Sequence, residues 1–109
     1  MEEVSLYLYV ETQPYNVLEQ NNIIESNCIV NKDNLVVVLN NIKEIFYAYR
    51  KRFNDTEKYD FIDISIVVKH KDNLYKLLDR ISIDSSCEFE ETKTYKELNN
   101  ILNKTLGDV

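Results

Sequence analysis

The side chains most often used for catalysis or metal binding are few in this chain and lie far apart. His70 is the only histidine, and the two cysteines, Cys28 and Cys87, lie 59 positions apart. A zinc site needs several Cys or His ligands at short spacing. A phosphate-binding loop needs glycines that let the backbone approach the phosphate, and the single glycine, Gly107, stands near the C-terminal end. We therefore expect no metal site and no bound cofactor.

His70 is the one side chain that could act as a general base near neutral pH. It lies between Lys69 and Lys71, at the end of a predicted strand. A general base needs a nucleophile or an orienting acid within hydrogen-bond reach, and the sequence pattern offers His70 neither. We interpret His70 as an exposed loop residue. The sequence therefore predicts no catalytic residues and a protein that is not an enzyme.

An acidic run near the C-terminal third provides the remaining chemistry. Asp84, Glu88, Glu90 and Glu91 lie on or beside a predicted strand. A calcium loop would alternate its acids around a central glycine, which is missing here. One interpretation of the run is a solvated strand face, and the other is a docking surface for a basic partner. An enzyme built on carboxylates alone is a third hypothesis for the same residues.

Tyrosine is abundant, with eight residues in 109. Tyr7 and Tyr9 project from one face of the first predicted strand, and Tyr47 lies on a long predicted helix, away from its apolar stripe. Aromatic side chains stack bases where a basic groove accompanies them, but a net charge of −6 opposes phosphate binding. Tyrosine is also enriched at protein interfaces, although these rings could instead be covered by helices. The candidate partner-binding residues are Tyr7, Tyr9, Tyr47, Asp84, Glu88, Glu90 and Glu91.

Length and composition limit the class of protein. A chain of 109 residues with 44% hydrophobic and 29% charged residues is typical of one globular domain, spanning 1–109. No apolar run approaches the roughly 18 residues of a membrane span, and the acidic N-terminus lacks the basic start of a signal peptide. These features predict a cytoplasmic protein without membrane contact. In that setting Cys28 and Cys87 are expected to be reduced thiols, buried like small hydrophobic side chains.

Hydrophobic periodicity predicts the elements of the first half. Alternation over residues 4–11 predicts a strand, residues 12–20 a short helical turn containing Pro14, and residues 23–30 a second strand. Residues 35–53 carry apolar side chains at steps of four and three, which favours one long helix with Asp33 as its cap. A strand over 35–39, paired in a hairpin with residues 23–30, is the alternative.

The second half repeats a short motif, because Lys-Asp-Asn-Leu follows an apolar strand end at both Lys32 and Lys71. The period of the second copy predicts a strand-to-helix junction, and its similarity to the first copy favours the long helix there. The remaining elements are predicted as a strand over 59–69, a helix over 74–81, a strand over 85–92 and a helix over 94–106. Thr94 and Glu97 have the spacing of a capping box at the start of the last helix.

These elements predict an α+β domain with one sheet of about four strands and helices packed mainly on one face. The predicted order is β, short α, β, α, β, α, β, α. Small size, acidity, tyrosine-rich faces and the lack of catalytic groups favour a protein-binding inhibitor, such as an immunity or antitoxin-like protein or a phage protein that blocks a defence nuclease. The predicted partner is a protein with a basic surface. The alternative is a structural subunit that forms homo-oligomers through an exposed strand edge, for which the first strand is the candidate.

Overall fold

The structure is a computed structural model that describes residues 3–16, 18–56, 58–83 and 87–107. Its helices and strands follow one another in the chain as β1 (Val4–Pro14), β2 (Asn21–Val30), α1 (Leu35–Thr56), β3 (Tyr59–His70), β4 (Asn73–Ile81), a 3-10 turn (Phe89–Glu91) and α2 (Lys93–Thr105).

The strands form one four-stranded antiparallel sheet in the order β2-β1-β3-β4. The sheet consists of two hairpins, β1–β2 and β3–β4, that are joined by the pairing of β1 with β3. The α+β class predicted from the sequence is therefore confirmed. The first strand is central, however, so the prediction that β1 provides an exposed edge is wrong: β2 and β4 are the outer strands.

Alternating side chains of β1 and β3 build the core on one face of the sheet. Val4, Leu6, Leu8 and Val10 point to the same side as the isoleucines of β3, and both helices contribute to this single apolar cluster. The helices are not centred on the sheet. Helix α1 packs against β3 and β4, and α2 packs against β4 and the 3-10 turn. Strand β2, at the other side, receives little of this cover.

The helix predicted over 74–81 is wrong, because these residues form strand β4. The apolar spacing that resembled a helical stripe is divided between two sheet faces. Leu77 and Ile81 are buried beside β3, whereas Leu74 and Leu78 are 54% and 55% exposed on the opposite face. A two-residue turn connects β3 to β4, and Lys71 adopts a φ of 56° there without a glycine.

Two other predicted elements are also wrong. Residues 12–14 continue β1 instead of starting a helical turn, and the chain then turns at Tyr15 and Asn16, where Asn16 has a φ of 61°. Residues 87–92 do not form a strand, because Phe89–Glu91 is a single 3-10 turn. Residues 84–86, the start of that predicted strand, lie outside the described residues, as does Val17 in the first turn.

Helix α1 is the long helix that the four-three spacing predicted, so the alternative strand over 35–39 is excluded. The repeated Lys-Asp-Asn-Leu motif favoured this helix for a wrong reason, because the copy that begins at Lys71 forms a hairpin turn and not the start of a helix. The expected Asp33 cap is also replaced. The side chain of Asn31 accepts the backbone N–H groups of Asp33 and Asn34 at 2.9 and 3.2 Å, and the side chain of Asn34 accepts the N–H of Asn31 at 2.9 Å.

Helix α2 begins close to its predicted start but is capped by a different residue. The Thr92 hydroxyl accepts the backbone N–H of Tyr95 at 3.1 Å, which is the usual role of an N-cap threonine. Thr94, the predicted cap, instead donates its hydroxyl to the carbonyl of Leu78 at 3.0 Å and so ties the helix to β4. The helix ends as predicted before Gly107, which has a φ of 72°.

Candidate functional site

The segment 87–91 is fastened to α1 by a row of polar side chains. Lys43 forms an ion pair with Glu90, and Arg50 donates to the carbonyl of Cys87. Between them, the Tyr47 hydroxyl donates to Glu88 and accepts the N–H of Phe89 at 2.8 Å. The three α1 residues are spaced by four and three and therefore share one side of the helix.

An aromatic cluster anchors the same segment in the core. The Phe89 ring lies 5.0 Å from that of Phe46 on α1 and 5.3 Å from that of Tyr95 on α2, measured between centroids. Phe89 is therefore the residue through which the segment joins both helices.

The predicted partner-binding residues of this region therefore have structural contacts of their own. Tyr47 donates to Glu88, and Glu90 pairs with Lys43. Glu88, Glu90 and Glu91 are all exposed. Asp84 lies outside the described residues. These positions do not test a role in partner binding, which stays a prediction.

The sheet face opposite the helices, called the open face here, brings Tyr7 and Tyr9 together as predicted from their spacing. Tyr7 is paired with Val67 of β3, and Tyr9 lies in the row that includes Leu78 of β4. Neither tyrosine is covered by a helix among the described elements, since both helices pack on the other face. The apolar and aromatic side chains of the open face are Tyr7, Tyr9, Ile29, Phe61, Val67, Leu74 and Leu78.

Charge on the open face is divided between its two halves. The β1–β2 half carries Glu11 and Glu25, and the β3–β4 half carries Lys69, Lys76 and Arg80. This segregation was not apparent from the sequence, because strand order decides which charges are neighbours.

Arg80 is held by a carboxylate at one end of the open face. Its guanidinium donates to both oxygens of Asp63, at 2.8 and 3.0 Å, and lies 3.7 Å above the ring centroid of Phe61. Asp63 is only 5% exposed and also accepts the side chain of Gln20 at 2.8 Å. The hydrogen bonds to Asp63 raise the pKa of Arg80 further. This network fixes the turn between β1 and β2 onto β3.

The β1–β2 hairpin has an unusual charge composition that sequence reasoning missed. From Val4 to Val30 the chain contains three carboxylates, Glu11, Glu19 and Glu25, and no Lys, Arg or His. The β3–β4 hairpin, by contrast, balances four acidic against four basic residues between Tyr59 and Ile81. The sequence does show that no basic residue precedes Lys32. That this makes one side of the sheet acidic follows only from the position of the hairpin at the edge of the sheet.

Strand β2 is exposed on both faces as well as along its outer edge. Eight of its ten residues are exposed, and only Val30 is buried. Its outer edge pairs with no strand in the part of the chain that the structure describes. A bare ladder edge of this length is a template for pairing with another chain.

A groove of about 270 Å³ lies between β2 and α1 on the helix side of the sheet. Its floor is formed by Leu6 and Leu8 of β1, and its walls by Cys28 of β2 and by Val38 and Ile45 of α1. We call this the α1–β2 groove. It exists because α1 is displaced towards β3 and leaves the inner side of β2 uncovered.

The free cysteines differ from their prediction. Both Cys28 and Cys87 are exposed and unbridged, so the expectation that they are buried is wrong. Partial burial in the α1–β2 groove raises the pKa of the Cys28 thiol. Cys28 lies on the helix side of the sheet, where it lines the groove, but α1 does not cover it.

A second cleft, of about 490 Å³, lies at the end of α1. It is lined by Tyr15, Phe53 and Tyr59, together with Asn54, Asp60 and Ile83. In the described ranges, no group of three or more Cys, His, Asp or Glu residues could hold a metal ion, and this cleft is no exception. The cleft presents aromatic surface rather than a set of reactive groups.

Comparison with known proteins gives no relative for this chain: no family model, no curated protein and no solved structure matches it significantly. Neither described helix has the length and apolarity needed to cross a membrane.

One partly buried carboxylate on the helix side of the sheet has an oxygen atom without a hydrogen-bond partner. Asp79 is on the core side of β4, opposite Ile64, and its Oδ2 atom is buried without a hydrogen-bond partner. Burial raises the pKa of Asp79, and the nearby Arg50 charge opposes this only in part. A buried carboxylate without a hydrogen-bond partner destabilises the folded state when it is ionised.

We expect Tyr47→Phe to lower the free energy of unfolding by about 1–2 kcal/mol, because it removes the acceptor of the Phe89 N–H and leaves that group unsatisfied. Tyr9→Phe is the matched control, since the Tyr9 hydroxyl points from the open face, and its effect should stay within about 0.5 kcal/mol. Urea unfolding measures both. Equal losses for the two variants would show that the Tyr47 hydroxyl does not stabilise the 87–91 segment.

We expect Asp79→Asn to stabilise the protein at pH 7. A carboxyl whose pKa is raised by folding contributes stability below its unfolded pKa, near 3.9, and loses it as pH rises through the folded value. The gain in melting temperature should therefore be largest at neutral pH and should shrink as pH approaches about 3.9. The exposed Asp72→Asn variant is the control and should show no such gain. A gain that is independent of pH would contradict the assignment.

Proposed function

We propose that this chain is a protein-binding module that inhibits a basic partner, contacting it through the β1–β2 hairpin. The observation that carries the proposal is the charge and position of that hairpin. It lies at the free side of the sheet, exposes both faces and the outer edge of β2, and carries Glu11, Glu19 and Glu25 with no basic residue to compensate them.

Electrostatic complementarity favours a partner with a basic surface. Exposed carboxylates accelerate association with a basic surface and repel nucleic-acid phosphates. Tyr7 and Tyr9 on the adjoining open face add aromatic contact area of the kind that protein interfaces use. Enzymes that act on nucleic acids need basic clefts, so a nuclease is the class of target that this surface fits. The immunity, antitoxin-like and anti-defence roles are forms of this proposal.

The test is capture of a partner from the native host by the tagged chain, with Glu25→Lys as the disrupting variant. We expect the reversed charge to weaken binding by about tenfold, largely through slower association. Asp72→Lys makes the same change of charge in the β3–β4 turn, far from β2, and should bind normally. Added chain should also suppress the activity of the captured protein. A partner that is indifferent to Glu25→Lys, or one whose activity is unaffected, would contradict the proposal.

A second candidate function, self-association, is favoured by the divided charge of the open face. A twofold axis parallel to the strands would lay the acidic β1–β2 half of one copy over the basic β3–β4 half of the other. This operation keeps each residue at its position along the strands, so Glu25 would lie opposite Leu78 of the other copy. Lys76 and Arg80, the neighbouring β4 residues on that face, would lie on either side of Glu25. Such self-complementarity is the requirement of an isologous dimer.

Light scattering after size-exclusion chromatography separates this candidate from the first. A dimer formed through the open face should become monomeric in Leu78→Glu, because the change places a carboxylate opposite Glu25 of the other copy. The control Glu44→Lys, on the exposed side of α1, should leave its mass unchanged. A monomer at every concentration of the unaltered chain would exclude the candidate.

A further inference from the structure

The outer edge of β2 has backbone groups that can bind an added strand. The Asn34 side chain donates to the carbonyl of Ile29 at 2.9 Å, which is the end of the strand nearest α1. In an antiparallel ladder, alternate residues turn both backbone groups away from the neighbouring strand. Since β2 pairs only with β1 among the described strands, alternate residues of β2 have this orientation. Their N–H and C=O groups then face outward.

The two sides of that edge differ in chemistry. Towards the helices lies the α1–β2 groove, with an apolar floor and enough room for an aliphatic side chain. Towards the open face lies Glu25, which is exposed. Successive side chains of a strand point to opposite faces. A strand added to β2 would therefore place alternate side chains in the groove and beside Glu25.

Charge decides between a second copy of this chain and another occupant. Pairing β2 with β2 of a second copy would bring together two hairpins that each carry three carboxylates and no cation. Like charges at that spacing oppose pairing. A strand that carries Lys or Arg on its open-face side would instead pair with Glu25, and charge complementarity therefore favours a cationic occupant.

We propose that β2 receives an extended segment of the basic partner as a fifth strand, with aliphatic side chains in the α1–β2 groove and Lys or Arg beside Glu25. This inference rests on the proposed function and specifies the segment that the same site recognises. Main-chain hydrogen bonds to β2 would supply affinity, and the alternation of aliphatic and basic side chains would supply specificity.

The first probe is a short blocked peptide that alternates lysine and valine. It is compared with a peptide of the same composition in which the valines are grouped. The alternating peptide should bind about tenfold more tightly, because only it can fill the groove and reach Glu25 at once. Amide chemical-shift changes should be concentrated in β2 and along α1 from Val38 to Ile45. Equal binding of the two peptides, or changes confined to the open face around Tyr7, would overturn the proposal.

Cys28, which lines the groove, offers a second test that needs no substitution of a groove residue. In the Cys87→Ser protein, a benzyl methanethiosulfonate label on Cys28 would occupy the groove as a mixed disulfide. Binding of the alternating peptide should then fall by at least about tenfold, and reduction of the label should restore it. An unchanged circular dichroism spectrum of the labelled protein would show that the label blocks the groove and does not unfold the chain. Peptide binding that is unchanged by the label would overturn the proposal.

The same label distinguishes failure of this inference from failure of the proposed function. If a host partner is captured and is weakened by Glu25→Lys, but the labelled protein still captures it, the strand addition is wrong and the binding function stands. If no partner depends on Glu25, both are wrong. If the label instead dissociates a dimer of the chain, the occupant is a second copy, and the cationic segment is excluded.

Discussion

Apolar contact between the inner face of the β3–β4 hairpin and the two helices is the interaction on which the rest of the structure depends. Ile62, Ile64, Ile66 and Val68 are fully or almost fully buried there, under a helical layer that includes Phe46 and Leu98. Burial of such side chains is the main favourable contribution to folding. The helices lie over the β3–β4 side of the sheet. This asymmetric cover leaves the far side of the sheet bare.

The exposed surfaces follow from that asymmetry. Segment 87–91 closes the covered side, where Phe89 packs between the helices and the polar row on α1 holds the backbone in place. No corresponding segment closes the β2 side in the described parts of the chain. The α1–β2 groove and the free edge are therefore two results of one displacement of α1. A third is that the open face keeps Tyr7 and Tyr9 at the surface, next to the acidic hairpin.

The distribution of charge gives this bare side its character. The net charge of −6 describes the whole chain, but it is not spread evenly over the sheet. The β3–β4 hairpin is balanced, and its most buried acid on the open face, Asp63, is paired with Arg80. The β1–β2 hairpin has no cation of its own, so its carboxylates remain available to a partner. Sequence composition indicated an acidic protein, and strand order showed which surface is acidic.

Sequence periodicity determined the elements whose burial is simple. Strands β1 and β3 alternate cleanly, and α1 and α2 each carry one apolar stripe, so local pattern and final burial agree. It failed at β4, because Leu74, Leu77, Leu78 and Ile81 fit a helix as well as a strand that is apolar on both faces. Pairing with β3 decided between these, and such pairing is a long-range contact that no local window contains. The 87–91 segment was mistaken for a strand for the same reason, since Phe89 is fixed by two helices distant in sequence.

Some properties of the candidate surface follow from the local sequence, and others follow only from tertiary contacts. The sequence by itself determined that Tyr7 and Tyr9 share a face, because a strand has a period of two. It also determined the net charge of the chain. Only the tertiary structure decided that β1 is central, that β2 is the free edge, and that Cys28 lines an open groove. Those properties depend on which strands pair and where the helices settle, and both are set by the sum of apolar contacts over the whole domain rather than by any single segment.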